Sequence, residues 1–113
     1  MDVFNGMFPI QPGREEDARA FAAETLGARR EGFEAHHARV GNVRETWALQ
    51  ETPMGSFMLV WFEGNPEKAF ADLATDQSEF TTWFRGQVLD LTGVDLGTPA
   101  DGPPPVILLD WSA

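Results

Sequence analysis

Phe57-Met58-Leu59-Val60-Trp61-Phe62 is an unbroken apolar run, far shorter than a membrane span and lacking the alternation of a half-solvated strand. It reads as a strand with both faces buried. Val3–Ile10 and Val106–Trp111 have the same character. In a chain of 113 residues, the helical stretches between these runs cover only one side of the sheet they form. The other side needs a partner, most simply a second copy of the chain. The expectation is a homodimer closed through the sheet face.

Upstream of this run, Val43–Thr52 is a more polar strand with Val43, Trp47 and Leu49 on one face, as suits a sheet edge. Pro53-Met54-Gly55-Ser56 joins the two strands as a hairpin. Before it, Arg14-Glu15-Glu16-Asp17 opens a helical stretch carrying Ala18, Phe21, Ala22, Leu26 and Phe33 at helical spacing. Gly27 and Gly32 predict a break within it, and Gly41 a stop. Downstream, Asn65-Pro66-Glu67 reads as N-cap, first-turn proline and first-turn acid. That helix turns Ala69, Phe70 and Leu73 inward. A break at Asp76 to Ser78 precedes a second periodic run through Phe80, Trp83, Phe84, Val88, Leu89 and Leu91, ended by Gly93. Gly97 to Pro105 is a stiff connector, and Val106–Trp111 a final strand.

The order β-α-β-β-α-α-β is the ferredoxin-like split βαβ arrangement, α+β in class, in one domain over 1–113. It predicts a four-stranded antiparallel sheet in the order 4-1-3-2, with helices on one face.

Composition excludes several functions. A net charge of −10 argues against nucleic acid and anionic membrane surfaces, which require lysine and arginine. The chain has no cysteine, hence no disulfide, thiolate nucleophile or thiolate metal site. It has neither a signal-peptide pattern nor a membrane-length apolar run, so a cytoplasmic location is expected. No phosphate loop, nucleophile elbow or metal motif is present, and no cofactor is expected.

In element order, nearly the whole chain resembles the dimeric α+β barrel superfamily, including small uncharacterised bacterial domains. Leu59-Val60-Trp61, followed after a short gap by Lys68-Ala69-Phe70, is similar to the strand-to-helix passage of antibiotic-biosynthesis-type monooxygenases and their haem-degrading relatives. The resemblance implies a pocket asparagine on the first strand, where Asn5 stands. Aligned on Phe80-Thr81-Thr82-Trp83-Phe84, the iron-binding histidine of the haem enzymes is replaced by Phe84. The tyrosine common in cofactor-free oxygenases has no counterpart, since the chain has no tyrosine.

Asn5 shares a strand face with Val3 and Met7, and Trp61 shares one with Phe57 and Leu59. If both faces meet the helices, Asn5 orients a substrate oxygen and Trp61 packs its ring. The plainer reading has Asn5 serving backbone near Gly6 and Trp61 filling core. His36 and His37, the two histidines, are candidate proton carriers or cations matched to a helix C-terminus. Adjacent on a helix, they point apart and cannot chelate one ion. Met7, Phe33, Trp47, Leu59, Phe80, Trp83 and Phe84 complete the candidate pocket, with core packing as the alternative for each.

Three functions follow as expectations. One is a cofactor-independent monooxygenase or cyclase acting on a small aromatic or apolar substrate through Asn5, Trp61 and His36 or His37. The second is a non-catalytic ligand-binding module. The third is a structural homodimer without a ligand.

Overall fold

The computed structural model describes residues 1–100 and 102–113. Along the chain run β1 (Asp2–Pro9), α1 (Glu15–Thr25), α2 (Arg30–Val40), β2 (Arg44–Thr52), β3 (Gly55–Gly64), α3 (Pro66–Thr75) and α4 (Glu79–Thr92). The helix boundaries follow local chemistry. The Asn65 side chain accepts from the Lys68 amide at 3.1 Å, with Pro66 in the first turn. Ser78 Oγ accepts from the Thr81 amide at 3.3 Å to start α4. Gly41 and Gly93 end α2 and α4 at φ values of 76° and 78°, a left-handed conformation costly for any side chain with a Cβ. The expected break falls in the gap between α1 and α2, which holds Gly27, whereas Gly32 lies inside α2.

The sheet has three antiparallel strands in the order β1-β3-β2, so the apolar run Phe57–Phe62 is central. Asn5 stands opposite Trp61 and Met7 opposite Leu59, while Trp47 stands opposite Val60. All helices lie on one side. On that side Met58 and Phe62 are buried, and Phe4, Phe8, Trp47, Leu49 and Val60 pack against the buried clusters. The largest cluster joins Phe21 of α1 to Phe80, Phe84, Val88 and Leu91 of α4, with Trp47 of β2 against it. Phe21 lies 5.2 Å from the Trp47 ring and 5.3 Å from Phe84, a spacing at which aromatic pairs attract beyond their buried area.

The structure corrects the expected four-stranded sheet and its 4-1-3-2 order. Val106–Trp111 forms no strand and joins no sheet. Val106, Leu108, Leu109 and Trp111 are 77% to 93% exposed. An apolar composition records a demand for burial but does not name a partner. Pro103, Pro104 and Pro105 ahead of the segment offer no amide donor with which to start a ladder. Both β1 and β2 are therefore sheet edges. Asp101, within the expected connector, lies outside the described residues. Among the described residues, no helix is long and apolar enough to cross a membrane. Val43 precedes β2 and is exposed, so the inward face of that strand is Glu45, Trp47 and Leu49 instead.

Candidate functional site

On α2, Phe33, His36, His37 and Val40 recur at the spacing that puts them on one helix face, and Gly32 lets that face approach α4 closely. An added Cβ at Gly32 would sit 2.5 Å from Phe80 Cβ. The two histidines diverge by about 100° around the helix. His36 points towards α3 and His37 towards β2.

His36 is 4% exposed. Its Nδ1 donates to Asp72 Oδ2 at 2.7 Å. Asp72 also accepts from Arg39 at 3.0 and 3.2 Å, and Arg39 reaches on to Asp76 at 3.3 Å. Arg39 foremost, with His36 behind it, lowers the Asp72 pKa against the opposing effect of burial, so the carboxylate stays charged. For His36, burial is the largest influence and lowers its pKa. The Asp72 hydrogen bond opposes this and the nearby His37 reinforces it. His36 is therefore a neutral imidazole with its proton on Nδ1 and a bare lone pair on Nε2. No described residue hydrogen-bonds Nε2.

His37 differs. Burial works to lower its pKa, but the hydrogen bonds to Glu45 and to the Phe33 carbonyl outweigh it, and the value rises. Nδ1 donates to Phe33 O at 2.8 Å and Nε2 donates to Glu45 Oε1 at 2.9 Å. Both partners are acceptors, so this pocket favours the doubly protonated ring. Trp47 Nε1 donates to the other Glu45 oxygen at 2.6 Å.

Between sheet and helices is a cavity of about 80 Å3, several times what one water needs. Phe8, Trp47 and Met58 form its sheet wall and Phe33, Phe80 and Phe84 its helix wall. The polar residues in the lining are His36, Asn42, Glu45 and Thr92. Glu45 is occupied as described. Thr92 Oγ1 donates to Val88 O at 2.6 Å and accepts from the Val94 amide at 3.0 Å. Asn42 Oδ1 is buried without a partner among the described residues. An apolar chamber with a neutral, carboxylate-anchored imidazole in its wall is equipped for proton abstraction.

The sequence-derived candidates divide between the two sides of the sheet. His36, Phe33, Trp47, Phe80 and Phe84 meet at the cavity, and His37 braces its wall through Glu45. Asn5, Met7, Leu59 and Trp61 lie on the opposite face, away from the helices, with Met7 64% exposed. The condition placing Asn5 and Trp61 beside the histidines is thus not met. Arg44 lies 6.0 Å over the Trp61 ring on that outer side. Trp83 packs on Phe21 beneath Arg29, which is 4.7 Å from its ring, and is not part of the cavity lining. Asp72, Arg39, Glu45 and Asn42 were absent from the sequence-derived candidates. Arg39 was reachable as the i+3 neighbour of His36, and Glu45 as the i−2 neighbour of Trp47 on one strand face. Asp72 comes from a distant element and gave no local signal.

Compared with known proteins, the chain matches no family model, no curated relative and no solved structure.

Proposed function

We propose that the chain binds a small aromatic or otherwise apolar molecule in the sheet–helix cavity and that His36 removes a proton from it. The observation carrying this reading is the His36 ring in the cavity wall, with Nδ1 anchored to Asp72 and Nε2 unoccupied. A neutral imidazole is available at neutral pH to accept a proton from an acidic O–H or C–H group. The proton moves to Nε2, and the Asp72 carboxylate stabilises the imidazolium that forms. The resulting phenolate, enolate or carbanion is the species from which a cofactor-independent oxygenation or a cyclisation begins. The test is a panel of small aromatic compounds screened by NMR, followed by hydrogen–deuterium exchange of any bound ligand's acidic C–H. His36→Gln is expected to keep binding and lose exchange. Binding without exchange in the unaltered protein leaves the ligand-binding module instead. A panel that leaves the His36 resonances unmoved contradicts the reading.

The outer sheet face supports a second proposal, that two copies associate through it. Three strands of this length, spaced about 4.8 Å apart, present on the order of 400 Å2, about half of the ~800 Å2 per partner typical of stable interfaces. The exposed segment Val106–Trp111 supplies apolar surface for the remainder. Sedimentation is expected to show a dimer at micromolar concentration, and removal of residues 106–113 to dissociate it. A monomer in the full chain rules this out.

A further inference from the structure

Arg39 stands three residues after His36 on α2, a spacing that makes the two side chains neighbours on the helix surface. Its Nε donates to Asp72 Oδ1 at 3.2 Å and its Nη2 to Asp72 Oδ2 at 3.0 Å, a two-point grip that fixes the plane of the carboxylate. Oδ2 is also the oxygen that His36 Nδ1 reaches at 2.7 Å. One carboxylate oxygen thus serves a buried imidazole and a guanidinium together. Side-chain exposure climbs along this row, from 5% at His36 through 18% at Asp72 to 39% at Arg39. The cation that matches Asp72 sits at the solvent end and the imidazole at the buried end.

The other charged and titratable groups near His36 are committed elsewhere. His37, next on α2, spends its nitrogens on Phe33 O and Glu45, and Glu45 of β2 is taken up by His37 and Trp47. Asp76, at the end of α3, accepts from Arg39 Nη2 at 3.3 Å but is already held by the Ser78 and Thr81 hydroxyls and the Ser78 amide. Among the described residues, the Asp72 carboxylate has two partners, His36 and Arg39. A guanidinium and a protonated imidazole compete for the charge of one oxygen, so a shared carboxylate favours the imidazolium less than an unshared one. We infer that Arg39 is the positioning residue of the His36–Asp72 pair: its grip aims Oδ2 at Nδ1 and takes up part of the carboxylate charge, and so sets how readily His36 accepts a second proton. This rests on the preceding reading of His36 as a base, with Arg39 acting on it through Asp72.

The experiment follows the histidine 15N resonances of the full chain, without ligand, through a pH titration. Arg39→Gln is expected to move the His36 midpoint upward with Nδ1 still the protonated nitrogen of the neutral ring, because Asp72 then serves the imidazole alone. Arg39→Lys keeps the charge but loses the fork, and its midpoint should lie between those of the unaltered protein and Arg39→Gln. Asp72→Asn moves the midpoint downward, and in that background Arg39→Gln should add no upward shift, the mark of an effect that passes through Asp72. A merely structural role would not give shifts of opposite sign from the two partners of one ion pair. A His36 midpoint unmoved or lowered by Arg39→Gln, or an upward shift of the same size with Asp72 already replaced, overturns the inference while the reading of His36 as a base stands. If the Arg39 shift is present but no ligand moves the His36 resonances, the coupling stands and the reading of His36 as a base falls.

Discussion

His36 and His37 are neighbours in the chain, yet the fold shifts their pKa values in opposite directions. For His36, burial, reinforced by His37, outweighs the Asp72 hydrogen bond and favours the neutral ring, whereas for His37 the Glu45 and Phe33 acceptors outweigh burial and favour the protonated ring. Opposite shifts on one helical turn are how a site separates two groups of equal intrinsic basicity.

The two histidines give stability opposite pH dependences. His37 has a raised folded pKa, so its contribution is complete below the unfolded value of about 6.5 and is lost as pH rises through the folded value. His36 has a lowered one, so its contribution is present above about 6.5 and is lost as pH falls through the folded value. The melting temperature of the unaltered protein should therefore fall as pH rises above about 6.5 and through the folded His37 value, and His37→Gln should flatten that slope. Below pH 6.5, His36→Gln should lessen the acid sensitivity. Thermal melts across this range check both.

Asp72→Asn removes the charge that anchors both His36 and Arg39. Loss of these charge-assisted hydrogen bonds should cost about 1.5–3 kcal/mol, read as the midpoint shift in urea. It should also lower the His36 pKa further, seen in the histidine NMR titration. An unchanged titration would show that Asp72 does not hold the ring.

Gly32→Ala tests the close approach that seats α2 on α4. A methyl group there meets Phe80 Cβ at 2.5 Å, so the helices must separate. A loss of about 1–3 kcal/mol is expected in urea denaturation, the usual range for overpacking. Gly86→Ala, with no heavy atom within 4 Å of the added group, is the control and should gain through helix propensity.

The central strand, its hairpin to β2 and the helix boundaries at Asn65, Ser78, Gly41 and Gly93 were legible because each rests on local chemistry. The facing of β1 and β3 was not. Alternation assigns a face only when one set of side chains is polar, and here Phe4 and Phe8 on one side compete with Val3 and Met7 on the other. The condition that would bring Asn5 and Trp61 to the helices could not be decided from the sequence for that reason. The segment Val106–Trp111 failed differently, since its composition states a need for cover without saying what covers it. Of the site, the two histidines and four of the cavity aromatics were visible. The Asp72 anchor belongs to another helix and appears only when the chain is folded.

Proton abstraction by His36 requires a neutral ring with its Nε2 open to the cavity. The most direct measurement is 15N NMR of histidine-labelled protein at pH 7, with and without a bound phenol. The account predicts a protonated Nδ1, a bare Nε2 and an Nε2 resonance that moves when the phenol is added. A doubly protonated His36, or an Nε2 resonance indifferent to every ligand that binds, would contradict it.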